Sequence, residues 1–440
     1  MTVDTAPGTT DFRPFAKAGR LDTSSAWLDA VREKAIDRFR KDGFPTPRIE
    51  SWKFTNLDAL ARTTFRDGEV IDRPELIHAD LEPYRLTPDC HLIVFVNGRF
   101  RPDLSALDHI PDGTRVGDFF AADEDDLQAL TAPPVVTEDP RARTLFDLNT
   151  ACMRGGAVVH LGPGAILDPV QLLFVATSAA EPTVFHLRNL IRAEAGSSAT
   201  VLESYVGLGE GIYWTNVVTQ IALASNAVLR HYKLQAEAGS AFHVAATSVR
   251  VDHQAAYRMF AASLGAKLSR NEVDLDLAVT DGVARLAGIT LARDAQHLDT
   301  TIRLNHSKPR GTSSQEFKSV VDARARAVFQ GCIHVAPDAQ KTDAQQVSRS
   351  LLLSSTASAD TKPALEILAD DVKCSHGATI GDLDEDSLFY LRARGVGEPE
   401  ARRMLIEAFI GELIDHITVE TARAYFRSAI DHWLAEGSRP

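Results

Sequence analysis

The chain repeats one pattern four times at an equal interval: AGSSA at residues 195–199, LASNA at 223–227, VDHQA at 251–255 and VTDGV at 279–283. Each segment begins 28 residues after the one before it and places a polar corner between two apolar positions. Short alternating runs that are typical of strands follow these corners. A fixed period of this kind is typical of a solenoid, in which each coil buries its inner face only by stacking on the next.

The pattern returns at residues 323–327 and 368–372, now at intervals of 44 and 45 residues. Inserted residues, among them 306–314, or two shorter coils would account for these longer intervals. We therefore predict a solenoid of short parallel strands over about residues 155–380. A β-sandwich is the main alternative architecture.

Helical patterns lie on both sides of this region. Apolar residues at helical spacing predict a helix over residues 24–42, and a strand follows at His91–Val96. Near the C-terminus, residues 398–417 and 419–435 carry wide apolar faces that predict amphipathic helices. Because these helices follow the solenoid in the chain, we expect a surplus apolar face that docks a partner. The predicted organisation is an N-terminal helical and mixed region (1–150), a β-helix core (151–381) and a C-terminal helical domain (382–440).

Composition and charge exclude several classes of protein. The formal net charge of −13 over 440 residues repels phosphate groups, so nucleic acid and anionic membranes are not expected partners. The first 20 residues contain no apolar stretch of the kind found in signal peptides, and no apolar run approaches the length that spans a bilayer. The cysteines form no C-x-x-C pair, which predicts a cytosolic protein without disulfides and with core positions for Cys90 and Cys152.

Motifs of common enzymes are absent from the sequence. There is no phosphate-binding G-x-x-x-x-G-K-[ST] loop, no G-x-G-x-x-G after a strand, no G-x-S-x-G and no H-E-x-x-H. Two polar pairs, His231 with Lys233 and His297 with Asp299, are interpreted as solvated or corner positions. We therefore expect no catalytic site in this chain.

The segment Cys374-Ser-His376 carries the most specific chemistry. If it is extended, the alternation of a strand places Cys374 and His376 on the same face. A thiol beside an imidazole suits a soft metal or an iron–sulfur site, whereas the alternative is a cysteine that only packs in the core. Cys332 and His334 show the same spacing earlier in the chain.

An ordered set of segments resembles a known family. In chain order they are ESWKFT at 50–55, LAG at 286–288 with Asp299, His306 and Lys318, FQG at 329–331, AQKT at 339–342, LLL at 351–353, DVKCSHGATIG at 371–381, LFY at 388–390 and Arg394-Gly395. With these segments the sequence resembles the SufB/SufD family of the SUF iron–sulfur cluster assembly system over most of its length.

The resemblance implies a right-handed parallel β-helix flanked by an N-terminal helical region and C-terminal α-helices. It implies pairing with SufB through the β-helices, or with a second copy of this chain in the absence of SufB, and binding of the ATPase SufC by the C-terminal helices. The complex assembles a transient iron–sulfur cluster, for which His376, with Cys374 beside it, is the implied ligand. ATP would act only through SufC, and we find no flavin motif.

Two features favour the SufD branch of the family over the SufB branch. The resemblance implies that SufB is the sulfur-accepting subunit and has a cysteine in the strand before the shared histidine. The corresponding stretch of this chain, LEIL at 365–368, contains no cysteine. SufB also has His-Glu-Ala where this chain has His376-Gly377-Ala378. A non-catalytic scaffold subunit is therefore implied.

A β-helical polysaccharide lyase or hydrolase and a purely structural solenoid are the alternatives. Such an enzyme needs carboxylates at equivalent positions of successive coils, and we see none in the sequence.

Overall fold

The computed structural model of the protein describes residues 26–67, 75–119, 122–132, 139–177 and 179–436. The strands are β1 (Arg66–Asp67), β2 (His91–Val96), β3 (Arg99–Phe100), β4 (Arg115–Asp118), β5 (Ala157–Leu161), β6 (Ile166–Thr177), β7 (Thr183–Ala193), β8 (Ser198–Leu208), β9 (Tyr213–Leu223), β10 (Val228–Ala236), β11 (Phe242–Val251), β12 (Ala256–Ser263), β13 (Leu268–Leu277), β14 (Val283–Ala292), β15 (His297–His306), β16 (Thr312–Val321), β17 (Arg326–Val335), β18 (Asp343–Leu352), β19 (Ser358–Ile367) and β20 (Lys373–Asp382).

The helices are α1 (Ala26–Asp42), α2 (Asp58–Arg62), α3 (His78–Leu81), α4 (Glu124–Thr131), α5 (Thr144–Cys152), α6 (Glu385–Ala393), α7 (Glu398–Ile414) and α8 (Glu420–Glu436). The helix predicted over residues 24–42 is confirmed from Ala26 onward, and its first two residues lie outside the described residues. The strand predicted at His91–Val96 is confirmed as β2. No helix of the described residues combines the length and the apolar character needed to cross a bilayer.

Successive strands alternate between two ten-stranded sheets. Sheet A has the order β19-β17-β15-β13-β11-β9-β7-β5-β4, with β1 paired to β7, and sheet B has the order β20-β18-β16-β14-β12-β10-β8-β6-β2-β3. All neighbours from β5 to β20 pair in parallel, so two strands and two corners make one coil and the predicted parallel β-helix is confirmed. The sheets also take in β2, β3 and β4 from the N-terminal region.

The corners explain the sequence period. The four segments 28 residues apart lead into β8, β10, β12 and β14, which are successive strands of sheet B. The intervals of 44 and 45 residues are neither insertions nor two short coils, because each spans three strands, which is one and a half coils. Residues 307–311, interpreted above as part of an insertion, form the ordinary corner between β15 and β16. The corner at 323–327 leads into a strand of sheet A, whereas the four earlier corners lead into strands of sheet B. Because corners on the two sides have similar sequences, the longer intervals were mistaken for longer or doubled coils.

Alternate side chains of each strand point into the lumen of the β-helix. The lumen is filled mainly by aliphatic and aromatic residues of both sheets, and it forms the largest apolar cluster of the described residues. Leu229 of β10 is a member of this cluster, so the same face of β10 continues with His231 and Lys233. These two residues are therefore not solvated, as the sequence suggested, but buried in the lumen.

A closed polar network satisfies these buried groups. His231 Nδ1 lies 2.8 Å from the hydroxyl of Tyr257 and its Nε2 lies 3.1 Å from Glu203 Oε1. Lys233 donates to Asn271 Oδ1 at 3.1 Å. Burial alone would raise the pKa of Glu203, but the hydrogen bond and charge of His231 outweigh it and lower the pKa to about 2. Burial lowers the pKa of Lys233 to about 8.

The N-terminal region covers the outer face of sheet A. Trp52 of the ESWKFT segment is buried beneath the guanidinium of Arg270, which lies 3.9 Å from the ring centroid. Asp299 pairs with Arg270 and accepts a hydrogen bond from the Thr55 hydroxyl. Asp299 and His297 were interpreted as solvated or corner positions, and for Asp299 this is wrong because the N-terminal segment buries it completely on one face of β15.

The C-terminal helices cover the outer face of sheet B. The apolar faces of α7 and α8 pack against this sheet, and the buried residues of the contact include Tyr232, Phe260, Ile410, Phe426 and Ile430. The rings of Phe260 and Phe426 meet edge to face with centroids 5.0 Å apart. The helices therefore do not lie beyond the solenoid with a surplus apolar face, as their position in the chain suggested. Most of that face stabilises the β-helix itself.

A buried histidine at the end of β15 couples the fold to pH. His306 is fully buried, its Nε2 lies 2.9 Å from Ser313 Oγ, and burial lowers its pKa to about 4. Between pH 6.5 and 4 the unfolded chain binds a proton at this histidine and the folded chain does not. The free energy of unfolding must therefore fall as the pH is lowered through this window.

We predict that the unfolding free energy of the parent chain falls by about 2 kcal/mol more than that of His306→Gln between pH 7 and pH 4.5, because the variant lacks the titrating group. Urea unfolding of the variant and the parent chain at both pH values measures the difference. His416→Gln, at an exposed position, is the matched control. An equal pH dependence in His306→Gln and the parent chain would contradict the prediction.

Candidate functional site

The Cys374–His376 pair lies at the open end of the β-helix. Both residues belong to β20, so the extended conformation that places them on one face is confirmed. In the register of sheet B, Cys374 pairs with Ala344 and His376 with Gln346. Ala344 and Gln346 are buried on the lumen side of β18, so Cys374 and His376 also face the lumen. No described strand lies beyond β20, and His376 is exposed.

The two residues differ in their surroundings. Cys374 is half-buried and packs with a small apolar cluster at the end of the lumen, which includes Ile333, Val335 and Leu365. Burial raises the pKa of the Cys374 thiol, and the nearby negative charge of Asp343 raises it further. At neutral pH the thiol is therefore protonated, whereas a thiolate is the form that binds metals.

The backbone edges of the last coil are also open. Lys373 donates its N–H to the carbonyl of Thr342 at 2.8 Å, on the side of β18. Since backbone groups of a parallel strand alternate between its two sides, the N–H groups of Cys374, His376, Ala378 and Ile380 point away from β18. Ile380 also contributes to an apolar rim, because it is 48% exposed and Ile367 of β19 is 39% exposed.

The edge of sheet A differs from that of sheet B. Ser358 of β19 donates to Ala325 and Leu368 to Val335, so the even-numbered residues point their N–H groups toward β17. Position 363 therefore points away from β17, and it is a proline, which has no N–H to donate. Proline in a strand is confined to such edges, where it weakens pairing with a further strand. The edge of β20 thus offers the more complete set of donors.

A tightly packed layer supports the site from below. Gln346 is fully buried in the lumen and its Nε2 donates to the carbonyl of Gly331 across the lumen at 3.4 Å. A Cβ at position 331 would lie 2.6 Å from the amide atoms of Gln346, so any other residue at this position would force the buried Gln346 side chain to move. This contact accounts for the glycine of the FQG segment.

The second Cys-x-His pair lies elsewhere. Cys332 and His334 are on the outer face of sheet A, in an open groove of about 470 Å³ that is also lined by Ser51, Lys362 and Glu366. They are therefore not near the lumen, and the structure does not bring them together with Cys374 and His376. No disulfide joins the four cysteines, and Cys90 and Cys152 are buried as predicted.

One further cluster has the spacing of metal ligands. Asp123, Asp126 and His160 are the only three described His, Cys, Asp or Glu residues whose ligand atoms converge in this way. Arg115 donates to both carboxylates, at 2.6 and 2.7 Å, and Arg192 donates to Asp126 at 3.2 Å. The two guanidinium groups supply the positive charge that a cation would supply, so this is an ion-pair network.

Sequence reasoning missed Gln346 and the residue one coil before it, Gln315. Both are buried in the lumen directly in register with His376. Their positions could have been found by counting strand alternation back from His376, once the corners between β16, β18 and β20 were known. The wrong reading of the 44-residue and 45-residue intervals prevented this.

The fold and site together define a β-helical protein with both outer faces covered by its own helical regions and one end of the lumen open. Comparison with known proteins identifies the family. The family model described as "SUF system FeS cluster assembly, SufBD core domain" matches residues 174–409, and the one described as "SufBD protein N-terminal region" matches residues 17–172. The chain therefore belongs to the SufBD family of iron–sulfur cluster assembly proteins.

Relatives in the family cover nearly the whole chain. An iron–sulfur cluster assembly SufBD family protein of Synechocystis is 35% identical over 93% of this chain and 91% of its own length. The iron–sulfur cluster assembly protein SufD of Escherichia coli K12 is 31% identical over 92% of this chain and 93% of its own length. The chloroplastic protein ABCI7 of Arabidopsis thaliana is 29% identical over 89% and 83%, respectively. The protein is thus a homologue of SufD.

Proposed function

We propose that this chain is a non-catalytic subunit of an iron–sulfur cluster assembly scaffold, which pairs with SufB and binds the ATPase SufC in the cytosol. The observation that carries the proposal is the open end of the β-helix, where an imidazole, a thiol and unpaired strand edges occur together. An interior coil could not offer these groups to a partner. ATP would act through SufC alone.

The chemistry of the two side chains assigns them different roles. A neutral imidazole can bind iron directly and occurs as a ligand in iron–sulfur proteins. Cys374 has a raised thiol pKa and packs against apolar residues, which favours a structural role at the interface. We therefore propose that His376 is the ligand of the transient cluster from this chain. SufB would supply the remaining ligands, since one histidine cannot complete a cluster site.

We predict that His376→Ala lowers the amount of iron and sulfide that the reconstituted complex with SufB and SufC retains, because a ligand is lost and loss of even a residue that only orients a ligand typically costs about tenfold in metal affinity. Iron and sulfide are measured after reconstitution and gel filtration of the intact complex. Cys374→Ser should have the smaller effect. His334→Ala, a histidine on the outer face, is the matched control. Unchanged iron and sulfide in an intact His376→Ala complex would exclude the ligand role.

The partner is proposed to pair with the edge of β20. An exposed strand with a regular row of unpaired N–H and C=O groups is a template for a further strand. Of the two edge strands of the last coil, only β19 has a proline at a position whose N–H would point away from the β-helix. The edge of β20 is therefore the better template. In the absence of SufB, a second copy of this chain could use the same edge.

We predict that Ala378→Pro prevents pairing, because it deletes one outward N–H without removing a hydrogen bond to β18. The association state of the isolated chain and its binding to SufB are measured by sedimentation. Ala378→Ser keeps the N–H and is the control. If Ala378→Pro pairs as strongly as Ala378→Ser, the edge of β20 is not the interface.

The docking site for SufC is proposed to be centred on α6 rather than on the buried faces of α7 and α8. Phe389 is 73% exposed and Tyr390 is 56% exposed, with the guanidinium of Arg394 lying 4.7 Å from the Tyr390 ring centroid. Met404 of α7 is also exposed. Aromatic residues and arginine are the residue types that contribute most to protein interfaces. Leu388, on the other face of α6, is buried and holds the helix in place.

We predict that the double variant Phe389→Ser/Tyr390→Ser weakens SufC binding by about a hundredfold or more, because two aromatic contacts are lost. Calorimetric titration with SufC measures the affinity. Ile166→Ser is the control, because it removes an exposed apolar residue of β6, which is distant in the sequence from α6. Truncation before α7 is unsuitable, since it would uncover the outer face of sheet B. Wild-type affinity in the double variant would place the SufC site elsewhere.

A further inference from the structure

Three arginines form a row on the outer face of sheet B. Arg230 of β10 pairs in register with Arg258 of β12, and Arg258 pairs with Arg285 of β14. Their chain neighbours Leu229 and Tyr257 belong to the apolar lumen, so strand alternation directs the arginine side chains outward. Because neighbouring strands lie about 4.8 Å apart, this arginine row presents one guanidinium group per coil.

The arginine row has no counter-charge of its own. Within the part of the chain that the structure describes, none of the three guanidinium groups takes part in an ion pair or a hydrogen bond, and the buried Nε of Arg258 lacks a partner. Like charges at directly opposed positions of a sheet are destabilising. Since the formal net charge of the chain is −13, the row does not follow from a basic composition.

Other arginines of the β-helix are matched by a carboxylate of a neighbouring coil. Arg303 of β15 is in register with Asp274 of β13, and their side chains lie 2.6 Å apart. Arg326 of β17 lies 2.6 Å from Asp360 of β19. Arg258, by contrast, has an arginine in register on each side. The carboxylates that would balance the arginine row are therefore expected on a partner.

An apolar strip lies beside the arginine row. It consists of Val228, Ala256 and Val283, which are in register two residues before the arginines, on the same outer face, and are half-buried. Two residues after the arginines, Tyr232 and Phe260 are buried by the C-terminal helices. The cover on sheet B thus ends at the arginine row, whose side chains are half-buried or exposed.

We propose that the arginine row and the apolar strip bind an acidic amphipathic helix of a partner protein. An α-helix rises 5.4 Å per turn, which is close to the spacing of the coils, so one carboxylate per turn stays within about 1.2 Å of register over three coils. Acidic residues at i, i+4 and i+7 share one face of a helix, and an adjacent apolar stripe would cover the strip. An inorganic anion has no apolar face to place there.

A synthetic peptide tests the proposal on the full-length chain alone. The peptide has about 20 residues, because shorter helices are marginal in water, and it carries one glutamate per turn with leucine and alanine on the adjacent stripe. Binding is measured by fluorescence anisotropy at low ionic strength. We expect the chain to bind this peptide, and to bind it less tightly when salt is added or when glutamine replaces the glutamates.

Removal of the arginine row is the decisive change. The triple variant Arg230→Gln/Arg258→Gln/Arg285→Gln should bind the acidic peptide about tenfold or more weakly, because three charge pairs are lost. Arg258→Gln alone, at the centre of the row, should bind it about threefold more weakly and replaces the triple variant if that chain does not fold.

The matched control is Arg99→Gln/Arg250→Gln/Arg324→Gln. It removes the same charge from three exposed arginines of separate elements, so it should bind the peptide as the parent chain does. An equal loss in this control would overturn the proposal, because the attraction would then be general to the surface.

Three further outcomes would also overturn the proposal. They are no binding of the acidic peptide by the parent chain, parent-like binding by the variants of the arginine row, and equal binding of the glutamate and glutamine peptides. Inorganic tripolyphosphate is the last probe. If it binds through the arginine row and the peptide does not, the row is a site for a small anion and the helix proposal falls.

The outcome is independent of the proposed function. The experiment contains neither SufB nor SufC, and the arginine row belongs to β10, β12 and β14, whereas the proposed interfaces use β20 and α6.

Discussion

In-register parallel stacking is the constraint on which the structure depends. Each lumen side chain lies about 4.8 Å from its equivalents in the coils before and after it, so neighbouring coils must have complementary shapes. Phe95, Phe174 and Tyr205 occupy equivalent positions of β2, β6 and β8, and their rings stack with centroids 5.0 and 4.7 Å apart. Where a side chain reaches across the lumen or along it, glycine provides the room. Gly288 does so for the ring of Phe317, as Gly331 does for Gln346.

A filled lumen leaves the two outer faces to be covered. The covers come from opposite ends of the chain, and they join to the sheets by polar contacts as well as apolar ones. On sheet A, Arg270 donates to the backbone carbonyl of Ser51 at 2.7 Å while it stacks on Trp52. On sheet B, the buried Lys318 donates to Glu412 of α7 at 2.8 Å. Thr55 and Asp299, two positions of the resemblance that are far apart in the sequence, meet in one hydrogen bond on sheet A.

The repeat period and strand alternation predicted much of this architecture, because both are local properties of the chain. They gave the corners before β8, β10, β12 and β14, and they placed Cys374 and His376 on one face. Burial of polar residues could not be predicted in the same way. Asp299 is buried by a hydrogen bond from Thr55, a residue 244 positions away, and no local pattern encodes such a contact. His231 and Lys233 occupy the alternating positions of β10 that face the lumen, but their polar character suggested that they are solvated. The network around Glu203 explains why their burial is tolerated.

The same residue types have different chemistry in the middle and at the end of the β-helix. His231 lies between two stacked coils, and both of its ring nitrogens are engaged, one by Glu203 and the other by Tyr257. A histidine in such a position can stabilise the lumen but cannot bind anything that enters from outside. His376 stands on the last coil, where a single neighbour, Gln346, lies in register below it and no described strand lies above. A polar group of the lumen is therefore within reach of a partner only where stacking stops, because an interior coil is covered by the coils on either side.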